Sequence, residues 1–457
     1  MSDVVARHHE PDQSRIRGRV AVVGGGAAGV SAAYRLRRAG LDPVVFESGD
    51  SLGGRARTVW RDGFGFDIGA GALPSTNKHL HKLIASIGAA DELVNRGAVV
   101  GVLKDGSVSR IARRKPLSFL SFDALSARSK LSLWRLGFDL ARMYSAINYE
   151  DLSTAARFDD QTVREYADRY YPTEVRENLI AALTRGLLLV EPEQTSVVDL
   201  FAAVKSLLVA DHLWTHPDGV GFFIERAARG LSVNLSSTVD TVTEDSDGVE
   251  LVWSKGDVVH RDRFDAAVLA VSAGDALTMH KSLDAERARY LNDLDYSQSI
   301  VVGLGVGTAP PETASMVLVP RALNPNIPAI GLGHNLAPGR VPPGGGILTV
   351  FYMREWSRQH WHDDDATLVD LTVQAVNELQ KGWADDVRAS HVTRWSPAVV
   401  ASRPGTFVGL RDFAARSRYD RRIQLAGDYH AQTSVNASVA AGEGAAARVT
   451  ALLRTIS

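Results

Sequence analysis

The chain has 457 residues, of which 45% are hydrophobic and 23% charged, a composition that suits an ordinary globular protein of two domains. Its formal charge of −2 offers no electrostatic basis for binding nucleic acid, and the absence of cysteine excludes disulfides, a Cys-x-x-Cys redox relay and any cysteine-ligated metal. No uninterrupted run of about 18 apolar residues occurs, so a transmembrane helix is not expected.

The chain begins with a polar stretch, MSDVVARHHEPDQSRIRG, that lacks the apolar core of a secretion signal. We interpret residues 1–15 as a flexible leader on a cytoplasmic protein.

A glycine-rich turn between a strand and a helix follows in residues 19–47. A short β-branched run at 20–23 suits a buried parallel strand, and Gly24, Gly26 and Gly29 then have the Gly-x-Gly-x-x-Gly spacing. The first glycine permits a tight turn, the second lets the backbone approach a pyrophosphate, and the third lets the helix pack closely on the strand. The next strand ends in Glu47, where a carboxylate accepts hydrogen bonds from ribose hydroxyls and repels the extra phosphate of NADP. The pattern predicts an adenine-dinucleotide half-site.

Two further glycine-rich turns, SLGGRART at 51–58 and GFGFDIGAGALP at 63–74, come directly after the acid. A nicotinamide domain needs no such additions. With them the chain resembles the flavin-dependent amine oxidase superfamily, which includes monoamine oxidases, protoporphyrinogen oxidases and phytoene desaturases. The resemblance implies FAD, with Gly53, Gly54 and Arg55 along its pyrophosphate and residues 69–72 beside the isoalloxazine ring. The cofactor-binding residues expected in this part of the chain are Gly24, Gly26, Ala27, Ala28, Gly29, Glu47, Ser48, Gly53, Gly54, Arg55, Ala56, Gly69, Ala70, Gly71 and Ala72.

The resemblance recurs twice more along the chain. The β-rich stretch 230–271 resembles the segment that returns the family's chain to the FAD domain, and it implies that the backbone of Val239 meets adenine. The stretch LAGDYHAQTSVNASVAAGEGAAA at 425–447 resembles the family's last strand, acid turn and flavin-facing helix. It implies that Gly427 and Asp428 bind the ribityl or pyrophosphate region and that the backbone of Val435 faces the flavin.

These three blocks predict an α/β fold with a Rossmann-type FAD-binding domain built from discontinuous segments, plus a mixed α+β substrate-binding domain. We expect residues 16–75, 225–290 and 395–457 in the FAD-binding domain, and residues 76–224 and 291–394 in the substrate-binding domain. Since cysteine is absent, a thioether-linked flavin is excluded, and noncovalent FAD is expected.

A second nucleotide site is not expected. The best candidate, VVGLGVGTAP at 301–310, has Gly303, Gly305 and Gly307, but Thr308 stands where the last glycine is required, and prolines follow instead of a helix. Electrons should therefore come from an organic substrate, with O2 as the simplest final acceptor.

The bond that is oxidised is left open by departures from the amine oxidase pattern. The stretch SIVVG at 299–303 lacks the lysine that many amine oxidases place near flavin N5, and Ser434 stands where one ring of the family's aromatic pair is expected, although Trp395 is available. The sequence thus favours hydride removal from a C–C or C–N bond of a small, largely apolar metabolite to flavin N5. Tyr429 and His430 are candidates for polarising substrate or handling a proton; the alternative is that they only form hydrogen bonds to the residues that hold the flavin. A redox-neutral flavin isomerase and a noncatalytic FAD-bound interaction protein remain as rival functions.

Two other patterns have simpler structural interpretations. His212 and His216 could place two metal ligands on a helix face, but Pro217 breaks the helix and no third ligand is evident, so no metal site is predicted. The apolar spacing within residues 116–149 predicts an amphipathic helix that packs in the substrate-binding domain; a membrane-facing or substrate-entry surface is the alternative.

Overall fold

The computed structural model describes residues 18–95, 99–112, 122–209, 212–337, 339–418, 420–430 and 434–456. The predicted leader, residues 1–15, lies outside these ranges. The strands in chain order are β1 (Arg19–Val23), β2 (Asp42–Phe46), β3 (Thr58–Arg61), β4 (Phe64–Asp67), β5 (Leu73–Pro74), β6 (Val94–Asn95), β7 (Val99–Lys104), β8 (Ser107–Ala112), β9 (Leu213–Thr215), β10 (Ser232–Asn234), β11 (Thr238–Glu244), β12 (Val249–Lys255), β13 (Val258–Phe264), β14 (Ala266–Leu269), β15 (Asp295–Tyr296), β16 (Ser299–Val306), β17 (Met316–Leu318), β18 (Ala329–Leu332), β19 (Gly346–Phe351), β20 (Val387–Trp395), β21 (Val400–Ala401) and β22 (Ile423–Leu425).

The helices in chain order are α1 (Ala27–Arg38), α2 (Lys78–Ser86), α3 (Ala127–Ser132), α4 (Trp134–Met143), α5 (Val163–Tyr170), α6 (Thr173–Val175), α7 (Ala182–Leu188), α8 (Val197–Val209), α9 (Phe222–Ala227), α10 (Ala273–Met279), α11 (Ala285–Asp293), α12 (Arg354–Gln359), α13 (Asp365–Leu379), α14 (Thr406–Ser417) and α15 (Val435–Ile456). A π-helical segment, Arg176–Ala181, connects α6 to α7.

The first sheet is parallel and has the strand order β10-β2-β1-β14-β22. Successive side chains of β1 point to opposite faces, because a strand has a period of two residues. Val20 and Val22 pack against α1 and α15, while Ala21 and Val23 pack against the antiparallel sheet β11-β12-β13. Because β1 is buried on both faces, its sequence is a nearly continuous run of apolar residues.

Helices α1 and α15 lie against each other on one face of this sheet. A Cβ on Gly442 would lie 2.1 Å from the carbonyl oxygen of Ala28, so a glycine is required where the two helices cross. The parallel strands with helices on one side confirm the predicted α/β, Rossmann-type fold.

The second large sheet has the order β20-β16-β19-β18-β17-β7-β8 and is antiparallel except for the β17–β7 pair. One face of β16, with Ile300, Val302 and Leu304, packs against α12 and α13. The glycines on its other face admit aromatic rings, since a Cβ on Gly303 would lie 2.5 Å from the ring of Phe66. Gly305 makes the same room for Phe64. Packing of β4 therefore accounts for two of the three glycines that resemble a second nucleotide turn.

Each of the two large sheets corresponds to one of the two predicted domains. The parallel sheet draws its strands from the three segments assigned to the FAD-binding domain, and the seven-stranded sheet lies in those assigned to the substrate-binding domain, up to the last residue of β20. Helix α14 crosses this division, because Phe407 and Leu410 pack into the helical core formed by residues of α4, α5 and α8. The exact boundaries stay a prediction.

The histidines at 212 and 216 flank strand β9 and do not lie on a helix. His216 is buried and stacks on Phe222, with ring centroids 4.0 Å apart, and its Nε2 lies 3.3 Å from Glu92. Within the described ranges no cluster of side chains suits a metal ion.

Candidate active site

The glycine turn between β1 and α1 forms one end of the site. Gly24 has a φ of +97°, and a Cβ there would lie 2.3 Å from the carbonyl oxygen of Ala270. A Cβ on Gly29 would lie 1.8 Å from the carbonyl oxygen of Gly24. A Cβ on Gly26, in contrast, would meet no atom of the described residues within 4 Å. The first and third glycines are thus required by the fold, and the second leaves space in front of the helix N-terminus, where an anion is stabilised.

Glu47 stands beside this turn at the end of β2. Its Oε2 accepts a hydrogen bond of 2.6 Å from the backbone of Gly25, and its Oε1 accepts one of 2.7 Å from Gly49. The hydroxyl of Ser48 donates a longer hydrogen bond of 3.4 Å to Oε1. Two backbone donors therefore hold the carboxylate in place, and Oε2 keeps a lone pair for a further donor such as a hydroxyl.

The segment 53–55 brings the first and last blocks of the chain together. Gly53 and Gly54 have positive φ angles of 119° and 50°, and Gly53 forms a parallel bridge with Gly26. The guanidinium of Arg55 donates a 2.7 Å hydrogen bond to Asp428 and another of 2.7 Å to the carbonyl of Ala398. Asp428 is nearly fully buried, and such a charge is tolerated because it is paired and hydrogen-bonded.

Tyr296 completes the surroundings of Asp428, with its hydroxyl donating a 2.8 Å hydrogen bond to the other carboxylate oxygen. Burial, together with the charge of Asp428, raises the pKa of Tyr296 above its usual range, so the hydroxyl stays protonated and remains a donor. Sequence reasoning missed Tyr296, because no local motif marks it.

One continuous cavity of about 740 Å³ joins these elements. All but two of the predicted cofactor-binding residues line it, namely Gly24, Gly26, Ala27, Ala28, Glu47, Ser48, Gly53, Gly54, Arg55, Ala56, Gly69, Ala70, Gly71, Ala72, Gly427, Asp428 and Val435. Gly29 lies within α1 behind the turn, and the side chain of Val239 is buried in the core at a bulge of β11. Their assignment as cofactor ligands stays a prediction that their placement in one cavity supports.

The far end of the cavity is largely apolar. It is lined by side chains from α7, α8 and the seven-stranded sheet, among them Leu187, Leu188, Leu189, Ala202, Ala203, Leu207, Val301, Met316, Leu332, Ile347 and Phe351. No lysine occurs among the described lining residues. Ser434 lines the cavity, and its hydroxyl accepts a 3.1 Å hydrogen bond from the backbone of Ala437 at the start of α15. The residue at the expected aromatic position is therefore a helix cap.

A buried ion pair between Asp67 and Arg340 lies in the wall of the cavity. Arg340 also donates to the hydroxyl of Thr215 and to the carbonyl of His216. Nearby, the indole of Trp395 lines the cavity and donates a 2.6 Å hydrogen bond to the carbonyl of Ile68. Asp67 lies in the predicted glycine-rich segment, but Arg340 follows a proline-rich loop that carries no recognisable signal.

Tyr429 and His430 do not line the cavity, in contrast to the expectation that they border the flavin. Tyr429 is buried and His430 is half-buried, and both pack against Phe413, with ring centroids 5.9 and 5.3 Å away. Burial raises the pKa of Tyr429 above its usual range and lowers the pKa of His430 to about 3. Asp428, Tyr429 and His430 form a single helical turn, so their side chains point in different directions. Of the three residues, only Asp428 lines the cavity.

Comparison with known proteins decides the family. The family model described as flavin containing amine oxidoreductase matches residues 27–450, which is most of the chain.

The chain belongs to this family.

The resemblance predicted from the three sequence blocks is thereby confirmed, and so is FAD as the cofactor. The chain is 26% identical over 185 residues to protoporphyrinogen oxidase 2 of Arabidopsis thaliana, covering 40% of this chain and 35% of that protein. It is 29% identical over 348 residues to coproporphyrinogen III oxidase of Mycobacterium bovis, covering 68% and 72% of the two chains. The matches span about a third of the length of several of these relatives.

The same fold occurs in cyclohexylamine oxidase from Brevibacterium oxydans, with a TM-score of 0.75 at 20% identity over 96% of this chain and 99% of that one. At this level of identity the likeness concerns the fold alone.

The cavity fits FAD by its own geometry. The space in front of Gly26 and Gly71, where a Cβ would meet no atom of the described chain within 4 Å, lets the backbone approach a ligand closely. Glu47, Arg55 and Asp428 then supply an acceptor, a cation and a second acceptor along the same cavity. When bound, FAD supplies a two-electron acceptor, and these residues would hold it.

Proposed function

We propose that this protein is an FAD-dependent oxidoreductase that removes hydride from a C–C or C–N bond of a small, largely apolar metabolite, with O2 as the final electron acceptor. The observation that carries the proposal is the shape of the cavity, which runs without interruption from the Gly26 turn and Glu47 to an end lined by hydrocarbon side chains. Such an end favours a substrate held by apolar contact.

Hydrocarbon side chains predominate at the apolar end, and the carboxylate that α8 contributes there, Asp199, already accepts a 3.2 Å hydrogen bond from the hydroxyl of Thr195. We therefore favour carbon oxidation over the amine chemistry after which the family is named. Polar groups there include the hydroxyl of Tyr149, which already donates a 2.9 Å hydrogen bond to the carbonyl of Ala202. Burial raises the pKa of Tyr149 above its usual range, so this phenol is a poor general base near neutral pH. Hydride removal needs placement of the substrate more than it needs a strong base, and an apolar wall supplies placement.

The porphyrinogen oxidases among the relatives point in the same direction by their names. We therefore rank porphyrinogens and polyenes above primary amines as substrates for this chain.

Anaerobic titration of the purified flavoprotein tests the proposal. Candidate porphyrinogens, polyenes and amines are added in turn, and bleaching of the visible flavin absorbance identifies a substrate. On admission of O2, the substrate should lose two hydrogens while one O2 is reduced to one H2O2 per turnover.

The two rival functions give different results in the same experiment. A product of unchanged mass without peroxide would indicate a redox-neutral isomerase. Failure of every candidate to bleach the flavin, together with stable capture of a protein partner, would indicate a noncatalytic FAD-bound protein.

A further inference from the structure

Helices α3 and α4 carry apolar side chains on two faces, and the core needs only one of them. Leu140 and Met143 are buried in the helical core, and Leu133 and Leu136 pack against it. Leu131, Trp134 and Phe138 point the other way and are 75%, 69% and 52% exposed. A surface helix ordinarily presents polar residues to water, so this second apolar face has no role in stabilising the fold.

The three exposed side chains form one stripe, which we name the outer stripe. Trp134 and Phe138 are four residues apart on α4 and lie on the same side of it, with their rings 6.5 Å apart. Leu131 lies at the end of α3, three residues before Trp134. Contiguous large apolar side chains of this kind mark an interaction surface, whereas a single exposed one needs no explanation.

Basic side chains accompany the outer stripe. Residues 127–145 contain Arg128, Lys130, Arg135 and Arg142 but a single acid, Asp139, which gives this segment a net charge of +3 in a chain whose formal charge is −2. Asp139 is buried and pairs with Arg135 at 2.6 Å and with Arg142 at 3.7 Å, so its charge faces the protein. Arg128 and Arg142 are exposed. The surface thus combines apolar side chains, including an indole, with positive charge.

The same region adjoins the apolar end of the cavity. The ammonium of Lys205 on α8 donates hydrogen bonds to the carbonyls of Tyr144 and Ile147. These hydrogen bonds hold α8 against the segment that follows α4. Residues Ala203, Ser206 and Leu207 of α8 line the cavity, and the next residue, Leu208, is 70% exposed. The wall of the substrate end therefore continues into exposed apolar surface on the side of the molecule that carries the outer stripe.

From this juxtaposition we propose that the outer stripe docks the protein peripherally on an anionic lipid bilayer. Apolar side chains of the stripe enter the boundary between headgroups and acyl chains, and Arg128 and Arg142 contact the anionic headgroups. We favour a bilayer over a protein surface, because the segment combines a net positive charge with an exposed indole, and both suit the headgroup boundary. Among the described residues no helix is both long and apolar enough to cross a bilayer.

Vesicle flotation with the FAD-loaded protein tests this inference. Vesicles of phosphatidylcholine alone are compared with vesicles that also contain phosphatidylglycerol, at low and high salt. The wild type should float with the anionic vesicles and lose binding as salt increases, because surface charges are screened.

Two variants and one control separate the apolar and the charged contributions. The triple variant Leu131→Ser, Trp134→Ser, Phe138→Ser should bind anionic vesicles at least about tenfold more weakly. The double variant Arg128→Gln, Arg142→Gln should weaken binding to anionic vesicles on the order of tenfold or more, with little change on neutral ones. The control is Val258→Ser, Val259→Ser, which removes apolar side chains of similar exposure, 58% and 63%, from β13 and should bind as the wild type does.

Retention of the flavin spectrum shows that each variant is folded, and light scattering without vesicles reports self-association. The inference is overturned if the wild type does not float, if the triple variant floats equally well, or if the stripe proves to join two copies of the chain. Since the readout requires no turnover, the result is independent of whether the proposed oxidation is correct.

Discussion

Removal of the Arg340 guanidinium should strongly destabilise the protein. Arg340→Met keeps the length of the side chain but deletes donors to Asp67, Thr215 and His216. Arg340 and Asp67 are both almost inaccessible to water, so solvent cannot replace the lost partner. Breaking a buried ion pair by removing one member costs about 3–5 kcal/mol.

The remaining partners of Asp67 set where in this range the value should fall. Its Oδ1 still accepts hydrogen bonds from the hydroxyl of Thr58 at 2.7 Å and from the backbone of Val220 at 3.0 Å. The carboxylate of Asp67 therefore keeps two hydrogen bonds when Arg340 is removed. We expect a loss of unfolding free energy in the lower half of the range, about 3–4 kcal/mol. With an unfolding entropy of about 2.1 cal/mol/K per residue, this corresponds to a fall in Tm of roughly 3–4 °C for a chain of this length.

Denaturant unfolding of the FAD-loaded protein, combined with a double-mutant cycle, measures the effect. Asp67→Asn leaves the cation unpaired and should also destabilise, while the double variant Asp67→Asn, Arg340→Met should cost less than the sum of the two single changes. A cost below about 1 kcal/mol for Arg340→Met, or strictly additive costs in the cycle, would refute the argument.

Three further predictions concern the glycine turn and the side chains beneath the site. Gly26→Ala should reduce FAD affinity without changing the stability of the apoprotein, because its Cβ projects into open space in the cavity; the control is Gly274→Ala, whose Cβ projects into open space on an exposed helix. Flavin fluorescence titration measures the difference, and equal affinities would contradict it. Tyr429→Phe should change flavin reduction by less than about twofold and raise stability by up to about 1 kcal/mol, because it removes a buried hydroxyl that has no hydrogen-bond partner among the described residues; a tenfold slower reduction would instead support the catalytic role first expected of it. Since burial lowers the pKa of folded His430 from 6.5 to about 3, the unfolded chain binds a proton first as pH falls. The stability present above pH 6.5 should then be lost by about 2 kcal/mol at pH 5, His430→Phe should flatten this slope, and an unchanged slope would show that His430 does not cause it.

The amino-acid sequence by itself determined the dinucleotide turn, the cofactor and the family. These features depend on backbone conformation over a few residues, and a glycine at positive φ or a carboxylate at a strand end leaves a signal at fixed spacing. Gly24 and Glu47 show this directly, because both occupy the positions that the spacing predicts. The segments that resembled the family at 51–74 and 425–447 were recognisable for the same reason.

Only the tertiary structure decided which side chains face the cavity. Tyr429 follows Asp428 directly, yet the turn that directs Asp428 towards Arg55 directs Tyr429 into the core, and no local pattern encodes that divergence. Arg340 meets Asp67 across 273 positions of sequence, so their pairing depends on how distant segments pack. Side-chain direction and long-range pairing follow from the packing of whole elements, and a single sequence carries no local record of either.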